Sequence, residues 1–376
     1  MKIGICTTDF SRRPLDSLFA AIEGMGFGAA QFAFDSIEES GFRADNHIEI
    51  PARIDEGLSE KIAECAARHH LELTAVNGTF NMAHPDRAVR EEGVRRFDGF
   101  ARAVRTMGCG MITLCSGTRS RLSLWTGDPA NDTPEAWRDM AGCMRAVCAA
   151  AEKYDLTLAI ETEAGNIIST PERAARIMAE VGSERLKMIM DCANLFHAGE
   201  AKRENARAVI GHAFDVFGRD VVLAHGKDIA ESDGIRFCAA GEGIVDFPYF
   251  IKRLRDVNYQ GVMMLHGIDR EDKMPACRAL VAPIEMATGT QAYFCGKPNP
   301  LMMRTGLRLL NCHSADAVMV GDRMDTDVIS GLESGMSTVL VLSGVSTMDT
   351  LKTYAYRPSI VLDGVGDIVT MAKAAK

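Results

Sequence analysis

From Lys2 to about Gly267, short apolar runs alternate with stretches in which apolar residues recur at helical spacing. The runs KIGICTT (2–8), GAAQFAF (28–34), LELTAVNG (71–78), CGMITLCSG (109–117), LTLAIETE (156–163), LKMIMDC (186–192), VVLAHGKD (221–228) and GVMMLHG (261–267) predict eight strands. Helices are predicted between them at 14–25, 58–69, 89–107, 135–153, 171–181, 203–217 and 247–257. Strands alternating with helices imply parallel βαβ units, and eight such strands suit a closed (β/α)₈ TIM barrel, for which ~250 residues is typical. An open doubly wound sheet is the competing architecture. It is disfavoured because no Gly-rich phosphate loop follows the first strand.

The stretch 269–290 is helical in pattern and could supply the eighth barrel helix. After it the rhythm restarts, with strands expected at 292–296, 316–322, 337–344 and 359–364 and helices at 300–311 and 326–335. The expectation is an α/β chain of two parts, a barrel over 1–275 and a partial Rossmannoid α/β segment over 276–376.

Polar residues recur where the barrel strands end: Asn77, Ser116, Glu161, Glu163, Asp191, Asn194, His225, Lys227, Asp228 and His266. A barrel builds its active site at the C-terminal ends of its strands. Glu161 and Glu163 stand two apart on one strand and so share a face. With Asp191 and His225 from the next two strands, Glu161 offers an O, O, N ligand set, which suits Mn²⁺, Co²⁺, Zn²⁺ or Mg²⁺ without choosing among them. Lys227 and Asp228 also fit a solvated loop pair, and Arg119, Arg121 and Arg236 fit either a phosphate contact or plain surface charge.

Composition narrows the partners. A net charge of −9 disfavours nucleic acid and membrane surfaces as partners, leaving a small molecule. The 11 cysteines include no C-x-x-C pair, and the opening MKIGICTT lacks a basic flank before an apolar run, so reduced thiols and a cytoplasmic address are expected.

The segments LAIETEAGNIIST, IMDCANLFHAGE, VVLAHGKD, AAGEGIVDFPYFIKRL and YQGVMMLHG resemble, in order, the signature segments of the sugar phosphate isomerase/epimerase family, the xylose-isomerase-like barrels. NGTFNMAHPD (77–86) and TLCSGTR (113–119) resemble that family's third and fourth strand ends. The resemblance implies a metal-dependent isomerase or epimerase acting on a small sugar or sugar phosphate through an enediolate. Dehydration of a keto-polyol on the same scaffold, which needs the same α-proton removed, is the alternative. By resemblance, Glu161, Asp191 and His225 are metal ligands, and Glu163, Asn77, Asn194, Lys227 and Arg236 line the substrate pocket. Many members carry a glutamate at the eighth strand's end as fourth ligand and second acid/base; here that residue is His266. The expected catalytic set is therefore Glu161, Glu163 and His266, with His266 also a fourth ligand. Phosphodiester cleavage, known on this barrel, would need more ligands and a basic face, and a non-catalytic binding protein would not need the Glu/Asp/His set.

Further on, ACRALVAPIEMATG, GKPNPLMMRTGL, VGDRMDTDVISGLESG and TVLVLSGVST resemble the final part of class II, NagD-type HAD phosphatases. The resemblance marks Lys297, Asp322, Asp325 and Asp327 as a HAD-like remnant, with Mg²⁺ as a second, weaker cofactor expectation. That family's nucleophile precedes this part, in an aspartate-bearing strand that the barrel sequence does not supply, so phosphatase activity is not expected. Half a parallel sheet leaves an edge open, so the segment is expected to dock on the barrel, pair in a homo-oligomer, or pack poorly.

Overall fold

The computed structural model describes residues 2–268 and 300–374, which fall into two compact units, 1–290 and 291–376. The expected 275/276 boundary, the helix at 269–290, the strand at 292–296 and Lys297 lie outside the described residues.

All eight barrel strands form where the alternation places them: β1 (Ile3–Cys6), β2 (Ala29–Phe32), β3 (Glu72–Asn77), β4 (Met111–Cys115), β5 (Thr157–Glu161), β6 (Leu186–Asp191), β7 (Val221–Ile229) and, last in the ring, β9 (Met263–Leu265). Each pairs in parallel with the next, and β9 closes on β1 through Ile3–Met263 and Ile5–Leu265. A short strand that the sequence pattern did not reveal, β8 (Phe237–Ala239), pairs antiparallel with the outer end of β7.

The connecting helices are α1 (Leu15–Gly24), α2 (Glu56–Arg68), α3 (Arg87–Thr106), α4 (Pro134–Lys153), α5 (Pro171–Val181), α6 (Ala206–Phe217) and α7 (Phe247–Asp256). Their starts follow local chemistry. Thr133 and Thr170 cap α4 and α5, accepting from the Ala136 and Arg173 amides, and each is followed by a proline at the first helical position. That position has no intrahelical acceptor for an N–H, so proline costs nothing there.

The apolar faces of these helices bury against the outer faces of the strands, in one cluster that includes Phe19, Phe32, Phe97, Phe100, Met188 and Phe250. A second, smaller cluster fills the barrel interior: Cys6, Ala29, Ala75, Ala159, Ile189, Leu223, Val262 and Met264. Three alanines on one side leave room for larger side chains from the other. Gly4 is part of that fit, since a Cβ there would lie 2.4 Å from Met264 Sδ and 2.8 Å from the Ala29 carbonyl.

The C-terminal unit contains α8 (Pro300–Leu310), β10 (Val318–Gly321), α9 (Ile329–Glu333), β11 (Ser337–Val341), α10 (Met348–Lys352), β12 (Ile360–Leu362) and α11 (Asp367–Ala374). Its three strands are parallel in the order β10-β11-β12 around a small core of Met324, Val328, Leu340 and Leu351. The helix expected over 326–335 instead opens as a π-type turn, Met324–Val328, before α9.

Gly93 on α3 tests the packing. A Cβ there would sit 2.1 Å from Cδ2 of the fully buried Phe80 ring. Alanine gains about 1 kcal/mol of helix propensity over glycine, while overpacking costs about 1–3 kcal/mol. The Gly93→Ala protein is therefore expected to be less stable than the parent in urea denaturation. A midpoint at or above the parent's would show that the ring yields freely.

Candidate active site

Side-chain alternation carries each strand from the interior apolar layer into the site. Two residues beyond Ala29 stands Gln31, beyond Ala75 stands Asn77, beyond Ala159 stands Glu161, beyond Ile189 stands Asp191, beyond Leu223 stands His225, and beyond Met264 stands His266. One further step adds Glu163 and Lys227 on the same faces. The residues of this upper layer line a cavity of about 710 Å³, with the exception of Asp191, which lies beneath it. A cavity of this size suits a small ligand.

At its floor the β6–β7 register sets Asp191 directly beside His225. His225 Nδ1 lies 3.4 Å from Asp191 Oδ2 and 3.5 Å from Glu161 Oε1. Its other ring nitrogen lies 2.9 Å from Gln31 Oε1 and donates to it, which leaves Nδ1 facing the carboxylates. Both Nδ1 and Asp191 Oδ2 are buried without a hydrogen-bond partner. Buried polar atoms are rarely orphaned, and atoms from Glu161, Asp191 and His225 all lie within 4.8 Å of one another. The donor set fits a divalent ion: two carboxylates offset the charge, and the imidazole Nδ1 coordinates once its proton is displaced.

Charge balance holds the cluster together. Burial alone would raise Asp191, but Lys227 Nζ, 3.5 Å away, and His225 hold its carboxyl well below the usual range. Burial would lower His225, yet the Glu161 and Asp191 carboxylates push it up to about 9, so a metal ion and a proton compete for Nδ1. Lys227 is likewise raised against its burial by Asp191, Glu161 and Glu163, and its ammonium lies 3.9 Å over the Phe237 ring. Asn194 Nδ2 donates to Glu161 Oε1, and the Asp191 carboxylate accepts the Ala193 and Asn194 amides.

His266 lines the cavity, and its ring centroid is 5.7 Å from that of His225. It is not part of the three-residue cluster. Its Nδ1 is 3.1 Å from Oδ1 of the buried Asp9, whose other oxygen accepts the Ile268 amide. Arg236 is exposed and outside the lining; it sits between Ile235 and Phe237, which both line the cavity, and alternation turns it away. Arg119 is committed to Asp139 at 2.7 Å. Lys227 and Asp228 are buried rather than a solvated pair. The Asp228 carboxylate collects the amides of Ile229, Gly241, Gly243 and Val245, which pins the loop beyond β7.

Three residues that contact the site carried no signal at the sequence level: Asp9, Gln31 and Glu49. Glu49 arrives on the loop after β2, held by its amide to the Thr79 carbonyl, and its carboxylate accepts from Asn77 Nδ2 at 2.7 Å. In the C-terminal unit, Asp325 is turned onto Arg323 (2.7 Å), Asp322 accepts the Val345 amide, and Asp327 accepts the Arg323 amide. Among the described residues these three do not gather as a metal-ligand group.

Burial pushes Glu49 and Glu163 up to about 7. An unfolded glutamic acid titrates near 4.3. The folded state therefore holds protons the unfolded state has lost, and this stability is full below about 4.5 and drains away as pH rises to about 7. Glu49→Gln is expected to remove about 2–3 kcal/mol of that fall between pH 5 and 8, read by urea denaturation. An unchanged slope would mean that Glu49 ionises freely in the folded protein.

Comparison with known proteins agrees with the two-part fold. Residues 19–286 match the family described as xylose isomerase-like TIM barrel, and residues 294–368 match the HAD-hydrolase-like family. Over 95 residues the C-terminal part is 50% identical to dihydroxyacetone phosphatase of Corynebacterium glutamicum (strain R), covering 25% of this chain and 34% of that protein. The chain thus spans about a third of the length of the curated relatives it matches. A D-tagatose 3-epimerase-like protein has a TM-score of 0.59 at 17% identity, over 78% of this chain and 100% of its own. The 3-keto-D-glucoside 4-epimerase YcjR of E. coli has a TM-score of 0.54 at 16% identity, over 77% and 99%. At such identities these two structures show the fold, while the match over 19–286 shows more: the chain belongs to the xylose isomerase-like TIM barrel family, with a HAD-like segment after the barrel.

Proposed function

We propose that the barrel is a metal-dependent isomerase or epimerase of a small sugar or sugar phosphate, working through an enediolate. The observation that carries this reading is the buried trio Glu161, Asp191 and His225, with orphaned Oδ2 and Nδ1 atoms, below a cavity that could hold a monosaccharide. The epimerase names among the structures of similar fold agree with it.

In this reading Glu161, Asp191 and His225 hold the ion, which when bound would polarise a sugar carbonyl and its neighbouring hydroxyl. Gln31 fixes the His225 ring, and Asn194 fixes Glu161. Glu163, raised to about 7 by burial, exchanges its proton near neutral pH and is suited to take and return the α-proton. His266, steadied through Nδ1 by Asp9, stands at the eighth strand's end where many relatives carry glutamate. It supplies the second acid/base from the cavity wall rather than a fourth ligand. The Lys227 ammonium, held charged at the floor, stabilises negative charge that develops on substrate oxygen. Asn77 and Glu49 offer hydrogen bonds to hydroxyls at the opposite wall. The phosphatase relatives do not alter this reading, since the C-terminal aspartates are engaged with Arg323 and nearby amides.

With Mn²⁺ added, the protein is expected to incorporate solvent deuterium at the carbon α to the carbonyl of at least one common ketose or ketose phosphate. Glu163→Gln should slow that exchange by about 100-fold or more, and Asp9→Asn by a smaller factor through loss of His266 orientation. Exchange at the parental rate in Glu163→Gln would remove it as the base. No exchange with any sugar would remove the reading itself.

A further inference from the structure

A second mixed donor set stands on the outside of the barrel, between α1 and α2. Cys65 and His69 are four residues apart at the end of α2, one helical turn, and so lie on one face. Asp16 and Glu23 are seven apart on α1, two turns, and also share a face. The two faces meet. Cys65 Sγ lies 3.6 Å from Asp16 Oδ1, His69 Nε2 lies 3.2 Å from the same oxygen, and the three ligand atoms are all within 4.8 Å of one another.

The histidine gives the cluster its meaning. His69 Nδ1 lies 2.8 Å from Glu23 Oε2 and donates its proton there. The other ring nitrogen, Nε2, then faces a second carboxylate oxygen, that of Asp16. A ring set between two carboxylates carries a cation at Nε2, either a second ring proton or a metal ion. A carboxylate holding the remote N–H of a histidine is also how metal-bound histidines are oriented. Donors around a tetrahedral zinc, at about 2.0–2.3 Å from the ion, stand roughly 3.3–3.7 Å apart, close to both separations seen here. Arg68 reaches Asp16 Oδ1 at 2.8 Å with an exposed guanidinium, so this charge can swing into solvent.

We propose that Cys65, His69 and Asp16 bind a thiophilic transition-metal ion of the Zn²⁺ class, with Glu23 as the positioning residue, and that the ion clamps α1 to α2. The thiolate sets this site apart from the Glu161, Asp191, His225 set, whose donors are two oxygens and one nitrogen. On binding, Cys65 loses its thiol proton to solvent and forms an S–metal bond; no redox change is involved. The site lies on the helical shell and asks nothing of the barrel reaction, so the two proposals stand or fall separately.

Co²⁺ is the probe, added to the full chain after chelator treatment. The parent protein and Glu161→Gln are both expected to show an intense near-ultraviolet thiolate-to-cobalt charge-transfer band, displaced by Zn²⁺ and absent from Cys65→Ser. Absence of the band in the parent, or its survival in Cys65→Ser, overturns the proposal. Cys65 is buried, so His69→Gln and Glu23→Gln, nearer the surface, give a second measurement in protein shown to be folded by circular dichroism. Each should weaken Co²⁺ binding at this site by about tenfold or more. Unchanged affinity in both would overturn the proposal and leave a doubly protonated His69 as the cation between the carboxylates.

Discussion

A fully buried aspartate at the floor of a barrel must be given a countercharge, and much of the active-site geometry follows from how Asp191 obtains one. Its Oδ2 faces Lys227 Nζ at 3.5 Å and His225 Nδ1 at 3.4 Å, both from β7. A buried charge left without its partner costs about 3–5 kcal/mol, so neither β6 nor β7 can slip in register without a large penalty. A slip by one residue would also turn His225 and Lys227 out of the barrel together.

That requirement explains why β7 is the longest strand of the ring. It must carry Leu223 into the apolar layer, His225 into the Glu161–Asp191 cluster and Lys227 above it, all on one face. The outer end of the strand, past its partners in the ring, stays buried because other segments cover it. β8 pairs with it, and the Asp228 carboxylate gathers four backbone amides from the following residues. Gly243 allows this gathering, because a Cβ there would stand 2.2 Å from the Ile229 carbonyl. The polar site thus rests on a closely packed apolar layer below and a hydrogen-bonded loop beside it, which hold its side chains in place.

Two chemistries are kept apart by position. The strand ends present oxygen and imidazole donors to the cavity. The α1–α2 face presents a thiol, an imidazole and carboxylates to the outside, where they can act only on the shell. In the C-terminal unit, with a core of Met324, Val328, Leu340 and Leu351, Asp325 pairs with Arg323 while Asp322 and Asp327 accept backbone amides, and among the described residues the three form no shared cluster.

The strands, the helices between them and the residues Glu161, Asp191 and His225 were legible in the chain itself. Periods of 2 and 3.6 are local properties, and a carboxylate or imidazole ending an apolar strand is visible within a few residues. Parity alone also separates Arg236 from its cavity-lining neighbours once β8 is known, but β8 is too short to announce itself. Tertiary structure alone decided that Gln31 sets the His225 tautomer from 194 residues away, and that Asp9 steadies His266 across 257. It also decided that Glu49 enters the cavity from a loop, and that Asp16 and Glu23 meet Cys65 and His69. These pairings join residues whose spacing in sequence carries no period. They exist only because closing the barrel brings β1 beside β9 and lays one helix along the next.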